Sequence, residues 1–74
     1  MPLVTVKLIE GVFTPEEKQE MIARLTDTMV DIEGEALRQV TWVTLEEVKS
    51  GAWGIAGNTL TAEDVRAIRS GAAV

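Results

Sequence analysis

The order of the apolar segments limits the fold of this chain more than any other feature of its sequence. Leu3 to Ile9 is an apolar, β-branched run interrupted only by Thr5 and Lys7, which is typical of a strand covered on both faces. A helical apolar pattern follows, and Val40 to Leu45 is again rich in β-branched and aromatic residues. A strand, a long helix and a second strand predict a β-α-β unit with parallel strands and a right-handed crossover.

The helix between the two strands has clear start and stop signals. Thr14 suits the N-cap, Pro15 suits the first helical position and Glu17 completes a capping box. Gly34 is the expected stop. The predicted apolar stripe consists of Met21, Ile22, Leu25, Met29 and Ile32.

Two short elements are expected after the second strand. The glycine-punctuated segment Ser50 to Asn58 predicts a hairpin or an extended arm, and it lacks the lysine and spacing of a phosphate-binding loop. Thr61 to Asp64 repeats the capping pattern and begins a short helix that ends near Ser70. Residues 71–74 are expected to be a frayed tail, and residues 1–74 a single domain.

The composition argues against several classes of protein. There is no cysteine and no histidine, so disulfides, thiolate metal sites and the commonest zinc ligand are ruled out. Neither a metal ion nor another cofactor is expected. The net charge of −5 argues against nucleic acid and anionic membranes as partners. No run approaches transmembrane length and no signal peptide is recognised, so a cytoplasmic location is expected.

Burial of apolar surface predicts self-association. A two-stranded sheet with one helix cannot cover both of its faces, and 46% hydrophobic residues is high for so short and acidic a chain. Burying a large apolar side chain is worth about 1.5–3 kcal/mol, so a homo-oligomer is expected. The side chains expected to need cover are Val4, Val6, Leu8, Val43 and Leu45.

Pro2 is the candidate catalytic residue. Methionine aminopeptidases remove Met1 when the next side chain is small, and this would leave Pro2 with a secondary amine at the root of a strand. An ordinary α-amino group has a pKa of about 7.7–8.0, a proline amine is more basic, and burial lowers the pKa. A neutral amine near pH 7 would suit proton transfer. Strand starts also tolerate proline for purely structural reasons.

Four motifs, in this order, resemble the tautomerase superfamily and within it the 4-oxalocrotonate tautomerase-like group. They are Met1-Pro2-Leu3, Leu8-Ile9-Glu10-Gly11, Glu16-Glu17-Lys18 and the arm Ser50 to Gly57. The resemblance spans residues 2 to about 60 and implies an α+β fold, a β-α-β protomer completed by oligomerisation into a hexamer of three dimers. It implies that Pro2 is the general base for keto–enol proton transfer on a small enol or α-keto acid. It also implies that Trp53 lines an apolar wall and that the backbone N–H of Ile9 helps to hold substrate.

The sequence departs from the family pattern at two positions. The best-studied members carry an arginine after the Glu-Gly turn and another in the second strand, where this chain has Val12 and Trp42. Neither side chain can bind a carboxylate as arginine does, so the prototype's dicarboxylate is not the expected substrate. Trp42 is interpreted either as a substrate-contacting aromatic or as a core residue of the sheet.

Other candidates and a second class of function stay open. Glu10, Glu46 and Glu47 could activate water, as in hydratases and dehalogenases of the superfamily, although solvated acids at strand ends are commoner. Lys7 and Arg38 could replace the missing cations, but no spacing places them beside Pro2. The alternative to an enzyme is a non-catalytic oligomeric binding protein on the same scaffold.

Overall fold

The computed structural model describes residues 1–71 and confirms the predicted α+β architecture. The elements are β1 (Leu3–Ile9), α1 (Pro15–Glu33), a 3-10 helix (Glu35–Val40), β2 (Trp42–Val48), β3 (Trp53–Ile55), β4 (Asn58–Leu60) and α2 (Ala62–Arg69). Strands β1 and β2 form a two-stranded parallel sheet, and β3 and β4 form an antiparallel hairpin. From residue 72 on, the predicted tail lies outside the described residues.

The chain divides into two compact units. The first comprises residues 1–6 and 15–46, and the second comprises residues 7–14 and 47 onward. The prediction of a single domain stays a prediction. No helix within residues 1–71 is long and apolar enough to cross a membrane.

In the first unit, strand residues alternate between a half-buried face and an exposed face of the sheet. The half-buried residues are Val4, Val6, Val43 and Leu45, and the exposed ones are Leu3, Thr5, Trp42 and Thr44. The hydroxyl oxygens of Thr5 and Thr44 lie 3.3 Å apart on the exposed face. The expectation that both faces of β1 are covered is therefore wrong for the single chain, because successive side chains point to opposite faces. The strand residues expected to need cover, such as Val4 and Val43, are half-buried. The apolar residues next to them in the sequence, Leu3 and Trp42, are the more exposed ones.

Strand β2 begins later and ends later than the sequence predicts. It starts at Trp42 rather than Val40, because residues 35–40 form the 3-10 helix, and it continues to Val48 rather than ending at Leu45. The Glu10 N–H donates to the Val48 carbonyl over 2.8 Å. Backbone pairing therefore extends the strand through Glu46 and Glu47, whose charged side chains are exposed.

Helix α1 begins and ends where its start and stop signals predict, but its buried side differs in part. Met21, Leu25 and Met29 are half-buried as expected. Val30, which the predicted stripe omits, is its only buried residue. The prediction that Ile22 and Ile32 belong to the buried face is wrong, because they are 39% and 79% exposed.

Gly34 ends α1 in a backbone conformation that other residues rarely adopt. Its φ is 106° and its ψ is 149°, a region that is essentially restricted to glycine. Its N–H donates to the Val30 carbonyl over 2.8 Å. A Cβ at this position would meet nothing within 4 Å, so the need for glycine is purely conformational.

Replacing Gly34 by alanine should therefore destabilise the protein through backbone strain alone. We expect Gly34→Ala to lower the free energy of unfolding by about 1–3 kcal/mol, measured by urea denaturation. Gly54→Ala is the matched control, because Gly54 has no positive φ and its Cβ would find ordinary van der Waals space. Equal stability of the two variants would contradict the strain argument.

In the second unit, a tight hairpin leads into a capped helix. Ala56 and Gly57 join β3 to β4 with φ values of 52° and 83°, as a type I′ turn requires. Thr61 and Asp64 form the predicted capping box: the Thr61 hydroxyl accepts from the Asp64 N–H over 3.2 Å, and the Asp64 carboxylate accepts from the Thr61 N–H over 3.0 Å. The backbone bond lowers the pKa of Asp64, so the cap is at full strength above the ordinary carboxyl pKa and weakens as the pH falls through the lowered value.

Candidate active site

Pro2 is held at the root of β1 by the first residue of β2. Its carbonyl accepts a hydrogen bond from the Trp42 N–H over 3.0 Å. Pro2 itself is half-buried, whereas Met1 is 77% exposed. In the encoded chain the Pro2 nitrogen is an amide without basicity, so any chemistry at this nitrogen requires removal of the exposed Met1.

Trp42 presents its side chain on the exposed face of the sheet. The residue is 58% exposed, so within the described protomer it is not a core residue of the sheet. Its backbone pairing fixes it beside Pro2 along the sheet. The structure therefore brings together two of the four predicted site residues, Pro2 and Trp42, in the first unit.

The backbone N–H of Ile9 points away from β2. Consecutive N–H groups of a strand alternate in direction, and the next one, on Glu10, donates to the Val48 carbonyl of β2. The Ile9 N–H therefore points to the other edge of β1, where no strand of the described chain lies. Ile9 as a whole is only 4% exposed.

The other two predicted residues, Ile9 and Trp53, line one cavity in the second unit. Its volume is about 310 Å³, at the small end of ligand cavities. The lining is apolar except for one lysine and consists of Lys7, Leu8, Ile9, Phe13, Trp53, Ile55, Leu60, Val65 and Ile68. Such a lining suits a flat or aromatic group rather than a highly charged one.

The two cations considered as substitutes for the missing arginines have different surroundings. Arg38 donates to Glu35 over 2.7 Å and to Asp27 over 2.9 Å. Its hydrogen bonds, first to Glu35 and then to Asp27, raise the pKa of Arg38 further above its already high value, so it stays cationic while engaged with two carboxylates. Lys7 is one of the residues that line the cavity.

Two arginines that sequence reasoning did not assign to a site reach the turn after β1. Arg66 donates to the Gly11 carbonyl over 2.7 Å, and Arg69 lies 3.4 Å from the Val12 carbonyl. The Arg69 guanidinium carbon is 4.9 Å from the ring centroid of Phe13. Their spacing of three residues on one helix face was the available signal, but nothing local indicated which segment that face contacts.

The candidate acids Glu10, Glu46 and Glu47 are all exposed. Glu10 is exposed, and its carboxylate accepts from the Ser50 N–H over 3.3 Å. Glu46 and Glu47 are exposed on β2. Among residues 1–71, no three acidic side chains are grouped so that they could hold a metal ion.

The comparison with known protein families decides the identity of this scaffold. A family model described as "Tautomerase enzyme" matches residues 2–63. The chain belongs to the tautomerase family. This tautomerase is accordingly an isomerase by family, and the match begins at Pro2.

Individual relatives agree with the family match. A probable tautomerase of Dickeya dadantii is 34% identical over 61 residues, which cover 82% of this tautomerase and 90% of the relative. A probable tautomerase of Staphylococcus aureus is 39% identical over 57 residues, covering 77% and 90%. A structure of 4-oxalocrotonate tautomerase isozymes from Methylibium petroleiphilum superposes with a TM-score of 0.69 at 28% identity, covering 86% of this tautomerase and 97% of that chain.

Helix α2 lies almost wholly beyond the region that matches the family. The match ends at residue 63, and α2 runs from Ala62 to Arg69. The two arginines at the β1–α1 turn, and the cavity residues Val65 and Ile68, are therefore features of this tautomerase outside the matched region.

Proposed function

We propose that this tautomerase uses Pro2, after removal of Met1, as the general base for keto–enol proton transfer on a small enol or α-keto acid. The observation that carries the proposal is the placement of Pro2: it is half-buried, anchored through its carbonyl to Trp42, and stands where the family match begins. The test is turnover of an enol by the processed chain and its loss when the Pro2 nitrogen is blocked.

The proposed proton transfer balances without an added reactant. The neutral Pro2 nitrogen takes the proton of the enol hydroxyl, which leaves an enolate whose oxygen electron pair forms the C=O bond as the C=C bond opens. The electron pair of the C=C bond then takes the proton from the Pro2 ammonium at the α-carbon, which yields the ketone and restores the amine. A base near neutral pKa is effective in both directions.

The remaining site residues have separate proposed roles. The Ile9 N–H, directed to the free edge of β1, donates to an anionic oxygen of the substrate. Trp53 provides an apolar wall in the cavity that it shares with Ile9. Trp42 provides an exposed aromatic face beside Pro2. No metal or other cofactor has a part in this chemistry.

The rival proposal is a non-catalytic binding protein on the same scaffold. It is favoured if Met1 is retained, because the Pro2 nitrogen is then an amide, and by Val12 and Trp42 in place of arginines. Intact mass separates the two proposals, since an enzyme that depends on the Pro2 amine must lack Met1. A hydratase-like variant would need a carboxylate such as Glu10 to activate water, and it would show as consumption of an unsaturated acid.

A homo-oligomer, specifically a hexamer of three dimers, forms part of the proposal. Leu3 and Trp42, 60% and 58% exposed, leave apolar surface on the sheet, and both edges of the two-stranded sheet lack a further strand in the described chain. The cytoplasmic location and the lack of nucleic-acid or membrane partners stay predictions from the sequence.

Light scattering should therefore give about six times the chain mass of 8.0 kDa at micromolar concentration. Trp42→Asp should dissociate the assembly, because it places a charge on the exposed apolar face. Gln19→Asp, which places the same charge at an exposed polar position of α1, is the control and should leave the mass unchanged. A wild-type monomer near 8.0 kDa would refute the proposed assembly.

A further inference from the structure

Phe13 lies where the turn after β1 meets both the cavity of the second unit and helix α2. It is half-buried and lines the cavity. The guanidinium carbon of Arg69 lies 4.9 Å from its ring centroid, which is within the range of a cation–π contact. Arg69 is not one of the residues that line the cavity. Its guanidinium therefore contacts the Phe13 ring from outside the cavity.

Helix α2 holds this turn through its two arginines. Arg66 donates to the Gly11 carbonyl over 2.7 Å, and Arg69 donates to the Val12 carbonyl over 3.4 Å. The backbone of the two residues before Phe13 is thus fixed by α2, and Arg69 in addition contacts the Phe13 ring. The position of that ring in the cavity wall depends on α2.

The cavity has the size and lining that a single aromatic ring requires. Phe13 and Trp53 offer aromatic faces, and the rest of the lining apart from Lys7 is aliphatic. The volume of about 310 Å³ is at the small end of ligand cavities, which favours one ring over a large cofactor. Two lining residues, Ile55 and Ile68, are 56% and 51% exposed, so the cavity is open to solvent. A ring that entered it would displace water from apolar surface.

We propose that this cavity binds the aromatic ring of a small molecule, with Phe13 as the specificity-determining residue and Arg69 as the residue that positions the Phe13 ring. The identification of the bound ring as part of the substrate rests on the proposed function; ring binding itself does not. Aromatic pairs in offset-stacked or edge-to-face contact gain stability beyond the area they bury. A ligand with an aromatic ring should therefore bind more tightly than one with a saturated ring of the same carbon number.

The test is NMR titration with cinnamamide and with its cyclohexyl analogue, two uncharged ligands that differ only in whether the ring is aromatic. The wild-type protein should bind cinnamamide about fivefold more tightly than the analogue. Phe13→Leu keeps an apolar side chain but removes the aromatic face, so it should lower this ratio of affinities about twofold or more. Phe13→Tyr keeps the ring and should retain the wild-type ratio.

The positioning role of Arg69 has its own readout. Arg69→Gln removes the cation from the Phe13 ring and should lower the ratio about twofold, whereas Arg69→Lys keeps a cation that can contact the ring and should restore it. If Arg69 only stabilised the fold, its loss would weaken both ligands equally and leave the ratio unchanged. Arg24→Gln removes the same charge from an exposed ion pair on α1 and is the matched control.

A further measurement does not depend on the folding of any variant. On addition of cinnamamide to the wild-type protein, the largest NMR shifts should occur at Phe13, at Trp53 and in α2, because these residues surround the bound ring.

Three results would overturn the proposal. These are equal affinity of the wild-type protein for the two ligands, an unchanged ratio in Phe13→Leu, and shifts confined to residues outside the cavity, as expected if another copy of the chain fills it. Ring binding at Phe13 without enol turnover would uphold the ring site and contradict the proposed function. Turnover of an aryl enol that Phe13→Leu does not slow would uphold the proposed function and contradict the assignment of the cavity to the substrate ring.

Discussion

Processed protein should ketonise phenylenolpyruvate, and the same protein with its Pro2 nitrogen blocked should lose turnover by about 100-fold or more. The physical reason is that an amide or alkylated nitrogen cannot cycle a proton as the free secondary amine does. Loss of enol absorbance measures the rate, and intact mass verifies that Met1 is absent. The rate should fall on acidification as the amine takes up a proton and stops acting as a base.

The control for this experiment compares the same extension placed at the two ends of the chain. An uncleaved extension before Pro2 converts the nitrogen to an amide, whereas the same extension at the C-terminus leaves it free. Pro2→Ala keeps an amine but loses the rigid ring, so its rate should lie between those of the wild-type and blocked proteins. Equal turnover in all forms would mean that Pro2 is structural and that the scaffold acts through other residues.

Local chemistry made several elements predictable from the sequence. The bounds of β1, the start and stop of α1 and the capping box of α2 follow from residues within a few positions of each other. Gly34 is an example, since its backbone conformation requires no tertiary partner. These elements agree with the sequence because propensity and final structure coincide there.

Features set by distant pairing were predicted less well. Strand β2 runs on to Val48 because the Glu10 N–H pairs with its carbonyl, and no local pattern in the charged segment signals this. The contact between Arg69 and the turn at Val12 joins residues 57 positions apart. The sequence could indicate a basic face on α2 but not its partner.

The four predicted site residues also differ in whether local sequence or the tertiary fold determines their surroundings. Pro2 was predictable as a candidate, because the chemistry proposed for it depends on its place in the sequence and on peptidase specificity; its role stays a prediction. The exposure of Trp42 was not, because it depends on which face of the sheet the single chain covers. Ile9 and Trp53 share a cavity only through the fold of the second unit; their assignment to a site came from the family resemblance alone.

A monocarboxylate aryl enol should be preferred over a dicarboxylate dienol by about tenfold or more in kcat/KM. Val12 and Trp42 stand where two arginines would each have supplied a charge-assisted contact worth about 1.5–3 kcal/mol. The cavity around Trp53 instead offers apolar and aromatic surface, which favours a ring over a second charge. The comparison is phenylenolpyruvate against a hydroxymuconate-type dienol, under the same conditions and with Met1-processed protein.

Two variants test the physical reason for that preference. Trp53→Ala should lower kcat/KM for the aryl substrate by about tenfold, because it removes a large aromatic wall residue. Val12→Ala should change it less than about threefold, because the contact at Val12 involves its backbone carbonyl, which the substitution keeps. If the dicarboxylate won by tenfold, a cation such as Lys7, which lies at the cavity, would have to bind its second carboxylate. Preference would then be set by charge at the cavity rather than by its aromatic wall, and Trp53→Ala would leave the ranking of the two substrates unchanged.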